Sequence, residues 1–378
     1  MIDREIHQMF NDPEKAILVG VETHIETTVS PEESLAELKR LTETAGAQMV
    51  GQLVQKRSAP HQRYYLGSGK LEELKALVTA QEANLIVFDV ELSASQQRNL
   101  EAELNIKVID RTELILDIFA QHAKTREGKL QVALAQSSFL LTRLAGHGAS
   151  LSRLGGGIGT RGPGETKLEY DRRRIRDQIV DLQKELEKVR QERGLRRANR
   201  SKSQIPMVAL VGYTNSGKST LFNSLTKANL LAADKLFATL DPTIRRLTLS
   251  DRKTILLSDT VGFIQKLPHQ LIAAFRSTLE EISSANLLLH VVDLSSNYFN
   301  DQITAVKQVL AELNCEDKQM LTVFNKTDKL GKDGLPKTLA QHAPYITISA
   351  LYQTGLTKLQ EQISTILDQP QQPPPATL

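Results

Sequence analysis

The segment of residues 207–221 limits the possible folds of this chain more than any other part of the sequence. It reads Met-Val-Ala-Leu-Val-Gly-Tyr-Thr-Asn-Ser-Gly-Lys-Ser-Thr-Leu and fits the pattern G-x-x-x-x-G-K-[ST] at Gly212, Gly217, Lys218 and Ser219. An apolar run precedes the pattern and an amphipathic run follows it, which predicts a strand, a turn and a helix. Backbone N–H groups in such a turn wrap a phosphate, Lys218 reaches the β- and γ-phosphates, and the Ser219 hydroxyl binds Mg²⁺. The segment therefore predicts a nucleoside triphosphate site.

A second motif, in residues 321–328, indicates which base is bound. It reads Leu-Thr-Val-Phe-Asn-Lys-Thr-Asp and follows the pattern Asn-Lys-x-Asp after an apolar strand. The Asp328 carboxylate can accept two hydrogen bonds from guanine, whereas adenine would leave it unpaired. Lys326 can lie along the base plane, and Asn325 can join this loop to the phosphate loop. A later strand ends in Ser-Ala, where the Ala350 N–H can donate to guanine O6, so we expect GTP rather than ATP.

The region between these two motifs carries residues suited to Mg²⁺ and to the γ-phosphate. Residues 254–262 form an apolar run that ends in Asp-x-x-Gly. Asp259 can hold the metal through a water, and the Gly262 N–H can approach the γ-phosphate. A threonine upstream is needed to complete the metal shell of the triphosphate state, and Thr239 and Thr243 both qualify by position.

Phe263 follows Gly262, at the place where many GTPases carry the glutamine that orients the attacking water. A phenyl ring cannot hydrogen-bond to water, so we expect slow hydrolysis by the protein alone and faster hydrolysis with a macromolecular partner. The missing donor can come from that partner, from another side chain or from the backbone. Arg245 and Arg246 offer charge in the same chain, but their position favours the next strand.

Composition excludes several classes of protein. Forty per cent of the residues are apolar and 24% are charged, as in ordinary globular proteins. The single cysteine excludes an internal disulfide framework, and the eight histidines have no zinc-like spacing, so we expect no structural zinc. No apolar run approaches the roughly 20 residues that a transmembrane helix needs, and charges occupy the start of the chain where a signal peptide is apolar.

Three regions of different texture indicate an α/β fold. Residues 1–160 alternate strand-like and helix-like runs, which predicts an α/β domain ending in the glycine-rich stretch 155–164, itself neither helix nor strand. Residues 161–203 read as a long, basic helical arm or linker, and residues 204–368 as a second α/β domain with a mostly parallel sheet. The Pro/Gln-rich residues 369–378 read as a disordered tail. The predicted N-terminal elements are strands 17–22, 49–55, 84–89 and 107–110, helices 35–42, 71–80 and 95–104, and a mostly helical run 112–145.

A second Gly-Lys pair lies at residues 67–70, Gly-Ser-Gly-Lys, but it does not fit the phosphate-loop pattern. Tyr64 stands where the first glycine belongs, and Leu71 where serine or threonine belongs. We interpret this stretch as a turn with Ser68 near the start of a helix. A weak second contact with nucleotide or RNA is the alternative.

These motifs together resemble the HflX family of translation-factor-related GTPases. The resemblance implies an N-terminal α/β domain with a helical arm, followed by a Ras-like G domain that binds GTP or GDP with Mg²⁺. It selects Thr239 over Thr243 as the metal ligand and shares the hydrophobic residue at position 263. The segments that carry it are residues 110–119, 155–166, 212–220, 237–243, 259–262, 325–328 and 349–350.

The motifs and the resemblance together define an expected site. The expected metal ligands are Ser219, Thr239 and Asp259, and the expected catalytic residues are Lys218, Thr239 and Gly262. The residues expected at the nucleotide are Gly212, Tyr213, Thr214, Asn215, Ser216, Gly217, Lys218, Ser219, Thr220, Phe237, Ala238, Thr239, Leu240, Asp241, Asp259, Thr260, Val261, Gly262, Asn325, Lys326, Thr327, Asp328, Ser349, Ala350 and Leu351.

The resemblance also implies a partner and a role. Members bind the large ribosomal subunit in the triphosphate form, reach towards the peptidyl-transferase centre, and separate subunits or rescue stalled ribosomes, notably under heat stress. The basic arm suits rRNA phosphates, although its basic residues can equally form the solvated face of a coiled coil. The glycine-rich stretch with Arg161 can enter an RNA cleft or serve as an interdomain hinge. We expect a monomer in the cytoplasm, with peripheral membrane association as a further possibility.

Two other functions fit parts of the sequence. The first is a GTP-dependent switch that acts on protein or membrane partners away from the ribosome. The second is an RNA-remodelling ATPase driven by the N-terminal domain, since some members of the family bind ATP there. Binding to ribosomes and ATP turnover by the N-terminal region distinguish the three functions.

Overall fold

The computed structural model describes residues 13–23, 30–145, 163–201, 205–228, 236–266, 281–330 and 335–369. The chain divides into two compact units. One comprises Met1–Gln121 and Val132–Lys184, and the other comprises His122–Gln131 and Glu185–Leu378. Both are built around a parallel sheet, so the predicted α/β fold is confirmed. Among the described residues, no helix has the length and apolar character that crossing a membrane requires.

The first unit alternates strands and helices along the chain. Its sheet has the order β2-β1-β3-β4, and every described strand pair in it is parallel. Its core joins the apolar faces of the sheet and of the second and third helices. The elements are β1 (Lys15–Thr23), α1 (Pro31–Ala45), β2 (Gln48–Arg57), α2 (Ser68–Gln81), β3 (Leu85–Phe88), α3 (Ala94–Leu104), β4 (Lys107–Asp110) and α4 (Arg111–His122).

The four predicted N-terminal strands and three predicted helices are all present, with bounds that shift by up to four residues. The helices start earlier than predicted because their caps lie outside the apolar pattern. Helix α1 begins after Ser30, whose hydroxyl accepts from the Glu33 N–H at 3.2 Å. Helix α2 begins at Ser68, after an N-cap at Gly67 that makes no side-chain cap bond. Residues 67–70 thus form the turn and helix start that the sequence predicted.

The predicted helical run 112–145 is two helices. Helix α4 ends at His122, and helix α5 (Arg126–Ala145) begins after three intervening residues. Helix α6 (Pro163–Ser201) is 39 residues long and mostly exposed where its side chains are described. The prediction that residues 155–164 avoid helix lies largely outside the described residues, but it is wrong for its last two, which open α6. Proline is well tolerated in the first turn of a helix, since its missing N–H has no partner there.

The second unit carries a six-stranded sheet of order β10-β9-β8-β5-β7-β6, parallel except for β6, which runs antiparallel to β7. The predicted position of Arg245 and Arg246 on a strand is confirmed, because both are exposed residues of β6. The elements are β5 (Met207–Val211), α7 (Lys218–Thr226), β6 (Thr243–Thr248), β7 (Thr254–Asp259), β8 (Leu287–Asp293), α8 (Phe299–Glu312), β9 (Met320–Asn325), β10 (Tyr345–Thr347) and α9 (Leu356–Asp368).

The parallel strands of this second sheet end at one edge, and the polar motifs follow them there. The phosphate loop follows β5, Asp259 closes β7, and Asn325 closes β9. Strands β5, β7, β8 and β9 are almost fully buried, as expected of a parallel sheet covered on both faces. Ligands of open α/β sheets bind at this carboxyl edge, so the fold brings the separated motifs together.

Candidate active site

The phosphate loop forms one wall of a cleft in the second unit. The first switch segment (residues 236–241) and the second switch segment (residues 259–263) form the other wall. Lys218 is buried at the start of α7, where its Nζ donates to the carbonyl oxygens of Gly212 at 3.1 Å and Tyr213 at 2.8 Å. Burial lowers the pKa of Lys218 to about 8, against the opposing charge of Asp259. The cleft is lined by Thr214, Asn215, Gly217, Lys218, Ser219, Thr220, Phe237, Ala238, Thr239, Thr260 and Gly262.

Three oxygen-bearing side chains meet at the floor of this cleft. Ser219 Oγ lies 2.8 Å from Thr239 Oγ1 and 2.7 Å from Asp259 Oδ2, and Thr239 Oγ1 lies 3.2 Å from the same carboxylate oxygen. Asp259 is fully buried, which raises its pKa, and its Oδ1 has no hydrogen-bond partner among the described residues. A buried carboxylate oxygen without a donor beside two hydroxyls suits a hard divalent cation. Thr243, the other candidate, is the first residue of β6 and pairs with Asp259 through the backbone.

The second switch segment is joined to the phosphate loop through its backbone. Phe263 N donates to Gly212 O at 3.1 Å, and Thr214 N donates to Phe263 O at 2.6 Å. A Cβ on Gly262 would lie 2.7 Å from Thr214 Cα and 3.0 Å from Lys218 Nζ, so only glycine fits this approach. The Phe263 side chain is 1% exposed and is not among the residues that line the cleft. The position of the usual glutamine therefore offers nothing to an attacking water.

The first switch segment, residues 236–241, is anchored at two points. Phe237 N donates to Thr214 Oγ1 at 2.9 Å, although Phe237 itself has a left-handed φ of 55°. Leu240 is buried and does not line the cleft. Asp241, which the sequence assigned to the nucleotide, accepts hydrogen bonds from the backbone of Lys124 and Thr125 instead, each at 2.9 Å. Thr239 lies between these two anchors.

The base-reading loops meet the phosphate loop at its other end. Asn325 Nδ2 donates to Ser216 O at 3.0 Å, which is the link that the motif predicted. Lys326 Nζ donates to Asn215 O at 2.8 Å and pairs with Asp293 Oδ2 at 2.7 Å. Both charged side chains of this pair are less than one-fifth exposed. The loop after β9 is thus fixed against the phosphate loop by contacts within the protein.

The expected donor to guanine O6 has another acceptor in the structure. Ala350 N donates to Asn325 Oδ1 at 2.9 Å, inside a buried contact. The next residue, Leu351, is 66% exposed. Ser349 Oγ donates to Asp328 Oδ1, which orients the carboxylate that the motif predicts will contact guanine. Thr327, also expected at the nucleotide, turns its hydroxyl to Ile348 O at 3.0 Å.

Two residues of the site belong to none of the nucleotide motifs. Asp293, which pairs with Lys326, ends a buried strand at the carboxyl edge of the sheet, and that position alone is a signal. Thr125, which holds Asp241, lies far from every nucleotide motif, and the sequence gives no signal for it.

Comparison with known families agrees with this geometry. Three family models match consecutive parts of the chain: "GTP-binding GTPase N-terminal" over residues 32–120, "GTP-binding GTPase Middle Region" over residues 122–200, and "50S ribosome-binding GTPase" over residues 207–326. Together these matches span both units.

Individual relatives give the same result. The GTPase HflX of Caldanaerobacter subterraneus subsp. tengcongensis is 50% identical over 95% of this chain and 82% of its own length. The GTPase HflX of Escherichia coli strain K12 is 49% identical over 84% of this chain and 74% of its own length. Among solved structures, the complex of SsGBP with GDP has a TM-score of 0.50 and 27% identity, and covers 94% of this chain and 99% of that one. The chain therefore belongs to the HflX family of GTPases, and it binds and hydrolyses GTP.

Proposed function

We propose that this GTPase binds the large ribosomal subunit in its Mg²⁺–GTP form and couples hydrolysis to the separation or rescue of ribosomes, particularly under stress. The meeting of Ser219, Thr239 and Asp259 carries the proposal, because it joins the phosphate loop to both switch segments at one point. The match of residues 207–326 to a 50S ribosome-binding GTPase family supports the choice of partner. A ribosomal partner implies a cytoplasmic protein, and membrane association stays a prediction.

Mg²⁺ fits the floor of the cleft. Ser219 and Thr239 would hold it directly, and Asp259 would hold it directly or through water. The unpartnered Asp259 Oδ1 supports this assignment, because a buried carboxylate oxygen without a donor is costly unless a cation neutralises it. When bound, the ion neutralises the negative charge that develops on the β- and γ-phosphates.

The chain's own residues orient the triphosphate. Lys218 gives up its two carbonyl acceptors and turns to the β- and γ-phosphates, and the backbone N–H groups of the phosphate loop complete the cradle. Gly262, packed against Thr214, brings its N–H to the γ-phosphate, so its position differs between the GTP and GDP states. Because Phe263 is buried, water must be oriented by a partner or the backbone, and the ribosome is the partner that would accelerate hydrolysis.

The base is read by Asp328, which Ser349 holds in place. Its two oxygens accept from guanine N1–H and the 2-amino group. The O6 atom receives its hydrogen bond from a backbone amide beyond Ala350, because the Ala350 N–H is already used. Lys326 covers one face of the base while Asp293 and the Asn215 carbonyl fix its amine.

Helix α6 supplies a surface suited to rRNA. Several of its basic side chains are exposed and lie on a single helix, so they can meet a row of phosphates. Contacts of this kind weaken steeply as salt concentration rises. Among the side chains of α6 that the structure describes, the exposed basic ones are Arg173, Arg174, Arg176, Lys184 and Lys188.

The test incubates intact ribosomes with the full-length protein and a non-hydrolysable GTP analogue, then separates subunits on a sucrose gradient. We expect more free subunits, with the protein in the large-subunit fraction, and neither effect with GDP. The Asp328→Asn variant should act only with a xanthosine triphosphate analogue, which serves as a matched control for nucleotide-driven action. A folded, GTP-bound protein that never migrates with ribosomes would contradict the proposal and favour a switch that acts elsewhere.

A further inference from the structure

The first switch segment makes a set of contacts that no nucleotide motif explains. Asp241 Oδ2 accepts from Lys124 N and Thr125 N, each at 2.9 Å, and Asp241 Oδ1 accepts from Thr125 Oγ1 at 2.5 Å. One carboxylate therefore receives three hydrogen bonds from the turn between α4 and α5. That turn belongs to residues 122–131, which group with the second unit although they precede the phosphate loop by more than 80 positions.

Thr125 contacts both Asp241 and the first turn of helix α5. Its Oγ1 accepts from Gly128 N at 2.9 Å, and its carbonyl accepts from Lys129 N at 3.0 Å, which is the arrangement of a helix N-cap. Since the hydroxyl accepts from the helix, its single proton is left for Asp241. The Asp241 carboxylate also lies beside the N-terminus of α5, where the helix dipole is positive.

Gly128 shows how closely the two segments fit. A Cβ at this position would lie 2.4 Å from Asp241 Oδ1 and 3.2 Å from Thr125 Oγ1. Glycine within the first turn of a helix costs about 1 kcal/mol relative to alanine. The residue that disfavours the helix is thus the one that admits the Asp241 carboxylate.

From these contacts we propose that Thr125 and Asp241 are positioning residues for GTP hydrolysis, which hold Thr239 at the metal site. The segment 237–241 is fixed at one end by the Phe237–Thr214 bond and at the other by Asp241. Thr239 lies midway, 2.8 Å from Ser219 Oγ. Loss of either anchor lets Thr239 leave the metal and the γ-phosphate while the phosphate loop stays intact. The inference rests on the proposed role of Thr239.

The test compares affinities for GDP and for a non-hydrolysable GTP analogue, with Mg²⁺, and single-turnover hydrolysis of GTP, all on the full chain. In Asp241→Ala and Thr125→Ala, we expect the preference for the triphosphate and the hydrolysis rate to fall about tenfold. The affinity for GDP should change less than about twofold, since GDP does not need Thr239. Thr125→Ser keeps the hydroxyl and should restore both values.

Two further variants separate positioning from stability. Ser93→Ala removes the comparable N-cap of α3, where Ser93 Oγ accepts from Gln96 N, and should leave nucleotide preference unchanged. Gly128→Ala improves helix propensity but places a methyl against Asp241. If the Thr125–Asp241 contact only stabilises α5, this variant should keep the preference for the triphosphate. If the contact positions Thr239, the variant should lose that preference as Asp241→Ala does.

Equal losses of GDP and triphosphate affinity, or wild-type preference in both Asp241→Ala and Gly128→Ala, would overturn the inference. Thr239→Ala shows which level has failed. If that variant keeps the wild-type preference, the metal-site assignment itself is wrong. If it loses the preference while Asp241→Ala keeps it, only the role of the anchor is wrong.

Discussion

The two sheets of this protein differ in the partners of the carboxylates that lie at the carboxyl ends of their strands. In the first unit, Asp89 follows β3 and is paired with Arg111 at 2.7 Å, and Arg111 also pairs with buried Glu37. Asp110, at the end of β4, is bonded by Arg143 and by Leu92 N. These carboxylates have cationic partners within the protein itself.

In the second unit, the corresponding edge is incomplete. Asp259 ends β7 with a buried oxygen that has no donor among the described residues, and Lys218 gives its protons only to backbone carbonyls. Burial raises the pKa of Asp259 and lowers the pKa of Lys218, so it disfavours the charged form of each group. The comparison indicates that strand-edge carboxylates paired with cations of the chain serve stability, whereas a buried carboxylate oxygen without a donor marks a ligand site.

The largest expected effect comes from breaking the buried ion pairs of Arg111 in the first unit. Arg111→Leu leaves Asp89 and Glu37 as buried carboxylates without their cation, so the unfolding free energy of the first unit should fall by about 3–5 kcal/mol. Chemical denaturation followed by circular dichroism measures this loss. Lys39→Ala removes an exposed pair with Glu43 and should change stability by less than about 0.5 kcal/mol. Similar values for both variants would contradict a special role for the buried cluster.

The matching change in the second unit should have the opposite profile. Asp259→Asn removes a buried charge, so stability in metal-free buffer should be equal or higher, while GTP hydrolysis falls by about a hundredfold or more. Thermal unfolding and single-turnover hydrolysis measure the two effects. A variant that unfolds like Arg111→Leu would show that Asp259 is structural instead.

A buried histidine distinguishes the second unit by its response to acid. Burial lowers the pKa of His290 to about 3, so the unfolded chain takes up a proton near pH 6.5 while the folded chain does not. The contribution of neutral His290 to the free energy of unfolding is full above pH 6.5. About 2 kcal/mol of it should be lost as the pH falls from 6.5 to 5. His290→Leu should flatten this decline in denaturation curves, whereas His61→Gln, at an exposed histidine, should leave it unchanged.

A half-buried glutamate gives the stability of the first unit a smaller pH response of opposite sign. Burial, with the nearby charge of Asp110, raises the pKa of Glu113 to about 7. The contribution of protonated Glu113 to the free energy of unfolding is full below pH 4.5 and declines as the pH rises towards 7. The decline should be about 1 kcal/mol between pH 5 and 6. Glu113→Gln should remove this decline. A stability curve for the variant that is parallel to wild type across this range would show that the carboxyl group is ionised in the folded state.

The sequence predicted most of the fold because its signals are local. The alternation of apolar strands with amphipathic helices indicated both sheets, and the spacing around Lys218 and Asn325 indicated the carboxyl edge where they meet. The break between α4 and α5 was missed, since a contact with Asp241, more than a hundred residues away, fixes it. No window of sequence contains both partners.

The details of the site were less accessible for a similar reason. A motif indicates which residue types approach the nucleotide, but it does not indicate how their spare donors are used. The Ala350 N–H is taken by Asn325, and Asp241 is taken by the α4–α5 turn. Both outcomes depend on packing between elements that the chain separates widely.

The backbone bonds of Phe263 have a mechanical consequence for this GTPase. Because its N–H and its carbonyl are both bonded to the phosphate loop, Phe263 itself cannot shift without breaking these two hydrogen bonds. The structural difference between the two nucleotide states has to begin at the Gly262 peptide or beyond Phe263. This aromatic residue thus acts as the pivot of the second switch, with its ring fixed in the protein interior.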